Sequence, residues 1–188
     1  MKTITILLFC FALLSGCSHP KQEVLQVEFT KKSDIITIRS NESMEYLFGK
    51  GRFTQTNFSG YLTNDIEKHH KLYQKKFSYD KQEINLEVEF WKLDQDMQLF
   101  MVEDMLKTKR YRAINAYELL VLAGQHPEIQ NSVAVISPYN IIVKDQTCQI
   151  PFLDKLDKSQ NFRRVIGTRD CNEKIPGNPK ARIVVTKL

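Results

Sequence analysis

The spacing of hydrophobic and polar positions changes along the chain, and each change marks an element. Ile4 to Leu14 is an apolar run of eleven positions broken only by Thr5. A helix needs about 20 apolar residues to span a bilayer, so this run is too short to do so. Glu23–Phe29 (EVLQVEF) alternates imperfectly and Asp34–Ile38 (DIITI) is β-branched; both predict strands. Tyr46 to Phe53 sets Gly49-Lys50-Gly51 between aromatic-rich flanks, which predicts a hairpin turn. No helical pattern follows that GxG, so it does not predict a phosphate cradle.

The clearest predicted hairpin covers 72–91. Ile84, Leu86, Val88 and Phe90 alternate with Asn85, Glu87 and Glu89, while Tyr73, Phe77 and Tyr79 share one face of the preceding run. A four-residue loop pairing Tyr79 with Ile84 keeps both apolar sets on one face and places Lys76 opposite Glu87. A two-residue loop pairing Tyr79 with Gln82 obeys the same parity.

Helical spacing follows. Met97, Phe100, Met101 and Met105 with Leu99, Val102 and Leu106 form an i, i+3, i+4 stripe that Asp94 or Asp96 can cap. Acids cluster at its start and Lys107, Lys109, Arg110 and Arg112 at its end, as the helix dipole favours. The Lys-Thr-Lys-Arg-Tyr-Arg run is therefore helix-end charge or, alternatively, a binding patch. Asn115-Ala116-Tyr117-Glu118 fits a capping box for a second helix ending at Gly124, with Pro127 beyond. Ser132–Ile136, Tyr139–Lys144 and Ala181–Lys187 read as strands. The 148–180 stretch reads as loop-rich, with Pro176-Gly177-Asn178-Pro179 its strongest breaker. No repeat or long linker divides the chain. Strands, two helices and strands in that order predict an α+β fold: a mainly antiparallel sheet with two central helices packed on one face.

Lys2 followed by the short apolar run is the pattern of a secretory signal peptide. The run ends in Leu14-Ser15-Gly16-Cys17. This resembles the lipobox of bacterial lipoproteins at all four positions. The resemblance covers residues 1–17. It implies cleavage before Cys17 and acylation of that cysteine, which anchors the chain in a membrane. Ser18, where enterobacterial lipoproteins retained in the inner membrane carry Asp, implies the outer membrane, with the protein facing the periplasm. The expected organisation is a signal peptide over 1–16, a lipidated cysteine and tether over 17–22, and one α+β domain over 23–188. Two acyl chains or more hold stably where one binds reversibly.

Of the four cysteines, Cys10 then leaves with the signal peptide and Cys17 carries lipid. Cys148 and Cys171 remain as an even pair in an oxidising compartment, which predicts a disulfide. Removing residues 1–16 removes Lys2 and leaves 26 bases against 22 acids, a net +4. The charges segregate: Glu83 to Asp104 holds seven acids against Lys92, and Lys155 to the end holds nine bases against three acids. Export argues against nucleic acid as partner. It leaves anionic headgroups or a charged protein, or simply a solvated surface.

No GxSxG, HExxH, Walker-type loop or CxxC is present. His19 and His126 have no fixed neighbour by sequence. His69 and His70 are adjacent and point apart, and Asp65, four before His69, gives a weak carboxylate–His pair. Glu83, Glu87 and Glu89 share one strand face, where residues two apart, as Glu87 and Glu89 are, lie about 6.8 Å apart, inside the range of inverting glycosidases, but alternating acids also make an ordinary wet strand. No catalytic residue, metal or cofactor is assigned.

The expectation is a non-catalytic, membrane-anchored periplasmic binding lipoprotein, an immunity or inhibitor protein that occludes a toxin or envelope enzyme. Its partner surface would use Glu83, Glu87 and Glu89 or Arg163, Arg164 and Arg169, with Tyr46, Phe48 and Phe53 as reserve anchors. The alternatives are an accessory lipoprotein of a secretion or conjugation apparatus and a periplasmic hydrolase.

Overall fold

The computed structural model describes residues 27–51, 53, 60–131, 134–142, 147–155, 164–177 and 181–188. The signal segment, Cys17, the tether, the start of the Glu23–Phe29 run and Arg163 lie outside the described residues.

The elements run β1 (Val27–Arg39), α1 (Met44–Gly51), α2 (Gly60–Gln74), β2 (Glu83–Leu93), α3 (Leu99–Lys109), β3 (Tyr111–Ala113), α4 (Ala116–Gln125), β4 (Ala134–Ile136), β5 (Ile141–Ile142), β6 (Cys148–Lys155), β7 (Arg164–Asp170) and β8 (Ala181–Lys187). One eight-stranded sheet follows the order β1-β2-β8-β4-β6, with β7 beyond β6, β3 beside β8 and β5 beside β6. Every pairing is antiparallel except β4 with β8. The α+β class and the mainly antiparallel sheet are those expected.

The helices differ from expectation. Among the described residues there are four α-helices, and they cover both faces of the sheet. Ile84, Leu86, Val88 and Phe90 of β2 meet the core formed with α1, α2 and α4. Trp91 and Leu93 turn to the opposite core, with Leu99, Val102 and Leu106 of α3. An amphipathic stripe shows which side of a helix is buried but not which face of a sheet receives it. α4 is apolar nearly all round, and every residue from Ala116 to Gly124 is buried. It packs against α1 and α2 as well as against β1 and β6.

Four local expectations fail for identifiable reasons. The predicted Tyr46–Phe53 hairpin is not found; Tyr46 to Gly51 belong to α1. Met44, Leu47 and Phe48 share a helical face toward the core, and the Ser43 hydroxyl accepts from the Tyr46 N–H at 3.2 Å. The 72–91 hairpin is also absent. Residues to Gln74 belong to α2, a tight Ser78–Lys81 turn follows, and β2 pairs instead with β1, Ile38 opposite Ile84. Asp65 and His69 on the inward stripe of α2 interrupt the apolar signal between Leu62 and Tyr73. The 148–180 stretch contains the β6–β7 hairpin, from Gln149 opposite Asp170 to Lys155 opposite Arg164. Within the described residues, the two strands predicted over 23–38 are one strand from Val27, with a register irregularity between Phe29 and Ser33.

Cys148 and Cys171 form a disulfide with Cα atoms 5.3 Å apart. It staples the open end of the β6–β7 hairpin, where the Cys171 N–H also donates to the Cys148 carbonyl at 3.1 Å. The Pro176-Gly177 breaker lies against the loop before α3. A Cβ on Gly177 would stand 2.6 Å from the Gln95 backbone, and the Gly177 N–H donates to Asp96 Oδ1 at 2.9 Å. Glycine is needed there for close approach. No helix among the described residues is long and apolar enough to cross a membrane.

Candidate binding cleft

The sheet forks beyond the end of β4. Ile136 is its last residue, lying between Ile183 of β8 and Phe152 of β6. Two short strands continue past that point and follow different neighbours: β3 pairs with β8, and β5 with β6. The chain between β4 and β5 crosses the fork, and the Ser137 hydroxyl donates to the Ile114 carbonyl there. A cleft of about 600 Å³ opens at the fork. Leu106, Tyr111, Arg112, Ala113, Asn115, Pro138, Tyr139 and His69 line it, with Glu103, Lys107, Asn140 and the terminal Leu188 at its rim.

The polar wall is built on the N-terminus of α4. Asn115 caps the helix by accepting from the Glu118 N–H at 2.9 Å, and Glu118 accepts from the Asn115 N–H at 2.9 Å. This is the capping box read from the sequence. Glu118 does more than cap. It is 1 % exposed and receives the Arg112 guanidinium in a two-pronged ion pair at 2.8 and 2.9 Å. The Tyr73 hydroxyl donates to the same carboxylate. Burial pushes the Tyr73 hydroxyl well above its ordinary pKa, and the neighbouring Glu118 charge adds to this. Burial alone would lower Arg112, but the Glu118 hydrogen bonds and charge outweigh it and hold the guanidinium charged. A buried pair of this kind needs all its partners, because removing one leaves an uncompensated charge.

Beside this network stand His69, Asp65 and Tyr139. The Tyr139 hydroxyl is 2.8 Å from His69 Nε2, and Asp65 Oδ1 is 3.6 Å from the same nitrogen. The Ala116 N–H, in the first turn of α4, donates to Asp65, where the helix dipole favours an acid. Burial nevertheless raises the Asp65 pKa, opposed by His69 and Lys68. Burial lowers that of His69, opposed by Asp65. His69 is therefore neutral at pH 7. Burial pushes the Tyr139 hydroxyl up to about 12, helped by Asp65. The site sets His69 and Tyr139 beside the Arg112–Glu118 ion pair on an apolar floor.

The residues singled out from the sequence are distributed otherwise. Glu83 pairs with Arg39 at 2.8 Å. Glu89 accepts from Trp91 Nε1 at 3.0 Å and from the Tyr111 hydroxyl at 2.9 Å. Glu87 stands exposed on the same strand. Arg164 and Arg169 are five positions apart on β7 and so point to opposite faces, and Arg169 is tied to Glu173 at 2.8 Å. β8, β4 and β6 separate β2 from β7, about 19 Å at the spacing of neighbouring strands. Tyr46 is half-exposed beneath Lys50, 4.5 Å from its ring centroid, while Phe48 and Phe53 pack into the core. Two features singled out from the sequence reach the cleft: His69 with its Asp65 partner, and Lys107, Tyr111 and Arg112 of the Lys-Thr-Lys-Arg-Tyr-Arg run.

Tyr73, Arg112, Glu118 and Tyr139 were not apparent as a group from the sequence. A signal existed for Glu118: it is the one charged residue between Ala116 and Gly124, and a charge inside an all-apolar helix requires a buried partner. Among the described residues no group of three His, Cys, Asp or Glu is placed to hold a metal ion. Comparison with protein-family models, curated proteins and solved structures finds no match.

Proposed function

We propose that the chain is a lipid-anchored protein of the bacterial envelope that binds a protein partner without chemistry on it, in the manner of an immunity or inhibitor lipoprotein. The lipobox-like Leu14-Ser15-Gly16-Cys17 supports the anchor. The observation that carries the binding reading is how the cleft's polar groups are used. Arg112 is committed to Glu118, and His69 Nε2 to Tyr139. Groups locked on one another shape a surface and fix the hydrogen-bonding pattern that a bound segment meets. The cleft then takes an apolar segment of the partner between Tyr111, Pro138 and Tyr139, and the charged rim sets its approach.

The test is binding of the full chain, recovered from the envelope, to the protein that co-purifies with it. Asn140→Trp narrows the cleft mouth from an exposed position and is expected to weaken binding at least tenfold with the fold intact. Undiminished binding by that variant contradicts the cleft as the interface. One observation favours a second reading, hydrolysis: His69 lines the cleft with Asp65 four residues before it. Turnover of a small substrate that is lost in His69→Ala would establish it over the first.

A further inference from the structure

α2 turns one stripe to the core and the opposite stripe to solvent. Leu62, Asp65, Ile66 and Tyr73 are buried. Tyr61, Asn64, Lys68, Lys71, Leu72 and Lys75 are exposed, at helical spacing. Lys76 follows immediately, so four lysines stand near the single acid Glu67. Between the lysines the surface is apolar: Tyr61 is 46 % and Leu72 44 % exposed, and Tyr79, in the turn after the helix, is 95 % exposed. A shallow groove of about 390 Å³ runs among Lys68, Lys71, Lys75, Asn64, Glu67 and Leu72. Lysine stems flanking exposed aromatic and aliphatic side chains suit a bilayer interface. The stems and rings lie at the headgroup boundary while the ammonium groups reach phosphate.

We propose that this face of α2 docks on the anionic phospholipid headgroups of the membrane that carries the chain's own anchor. The inference rests on the reading of Cys17 as lipidated. Nine residues separate Cys17 from Val27, and nine residues reach at most ~32 Å. The domain therefore stays at the surface whichever face it presents. Tethering raises the effective concentration of each face to the millimolar range, so a weak contact becomes populated. Charge then selects the face. α2 offers lysines almost unopposed, whereas α3, on the other side of the sheet, exposes Asp104 beside Lys107, 3.6 Å apart. Attraction to an anionic surface falls off within a Debye length, so docking is salt-sensitive while the anchor is not.

The experiment places an environment-sensitive fluorophore on the full chain at Leu72→Cys, or at Phe100→Cys on α3 as reference. The protein is reconstituted in vesicles of phosphatidylcholine alone or with about one-third phosphatidylglycerol, an anionic lipid. Flotation with the uncharged vesicles reports the anchor independently. The expected result is several-fold greater quenching of the Leu72 probe by quencher-bearing lipid in the anionic vesicles, with the Phe100 probe unchanged. Roughly 0.5 M salt, which shortens screening to a few ångströms, should abolish the difference. So should Lys68→Gln, Lys71→Gln and Lys75→Gln together, with flotation retained. Equal quenching of the Leu72 probe in both vesicle types overturns the docking proposal. A chain that does not float with uncharged vesicles overturns the anchor instead. Docking is then read from sedimentation of that chain with anionic vesicles, where binding no greater than that of the triple lysine variant overturns it.

Discussion

The two faces of the sheet are held by different means. Under α3 the core is dry: Trp91, Leu93, Leu99, Val102, Leu106, Ile150 and Ile183 pack together, and Cys148 and Cys171 border them. Under α1, α2 and α4 the core is larger and encloses charge. Glu42, Asp65 and Glu118, all 8 % exposed or less, lie on those helices or at their ends. Hydrophobic burial with a covalent staple fixes the first face. A set of partners that must all be present fixes the second. Charge is buried where the cleft is built, at the α4 N-terminus, so the polar face is specified by more than volume.

Substitutions that conserve volume but not charge break this contrast most sharply. Glu118→Ala leaves Arg112 and the Asn115 N–H without their acceptor and is expected to cost about 3–5 kcal/mol. Glu118→Met, closer in volume, should fare little better. Arg112→Met with Glu118→Leu should recover much of the loss, since replacing a whole buried pair by packed apolar groups is often near neutral. Denaturant titration of the single and double variants measures this. On the dry face the order reverses: Leu93→Ala should cost about 2–5 kcal/mol and Leu93→Met less than about 1.5.

The disulfide belongs to the dry face. It closes a loop of 24 residues, with a sequence separation of 23, for which loop entropy gives a stabilisation of ~3.5 kcal/mol. Cys148→Ala with Cys171→Ala should lower the unfolding midpoint accordingly. Reducing agent should lower the wild type and leave the double variant unmoved.

Acid titration separates the faces more gently. His69 is depressed below its ordinary 6.5 by burial, so the unfolded chain takes the proton first. Stability is then lost as pH falls below 6.5 toward the lowered value. Asp65 is raised above its ordinary 3.8, again by burial first. The folded chain takes that proton first, so stability is regained as pH falls through the raised value toward 3.8. Asp65→Asn removes the attraction that supports the His69 charge. His69 should then titrate at still lower pH by NMR, and acid should destabilise the protein more steeply. The smallest effect lies at the end of α3, where Arg110 holds φ 59°. Glycine is at ease there, so Arg110→Gly should raise stability by up to ~1 kcal/mol.

Much of the fold could be read in the sequence where one signal acted alone. The capping box at Asn115 and Glu118, the stripe of α3 and strand β8 fall where the pattern placed them. α1 and α2 escaped because two signals competed. Gly49 and Gly51 mimic a turn, yet they form the last turn of a helix whose apolar residues precede them. In α2, Asp65 and His69 occupy the buried stripe because they serve the cleft, and their polarity hides the period that defines the helix. The site was readable in two separate pieces, the pair Asp65–His69 and the Lys-Thr-Lys-Arg-Tyr-Arg run with Lys107, Tyr111 and Arg112. Arg112, Glu118 and Tyr139 meet only because the sheet forks, and no local spacing records a fork.

Central to the account is that the polar face is the working face. Photo-crosslinking of the full chain in its own envelope tests it most directly, with a crosslinkable residue placed at Asn140 on the cleft rim or at Phe100 on α3. A discrete protein adduct from Asn140, reproduced with the purified partner and absent from Phe100, is the predicted result. An adduct from Phe100 with none from Asn140 would contradict it.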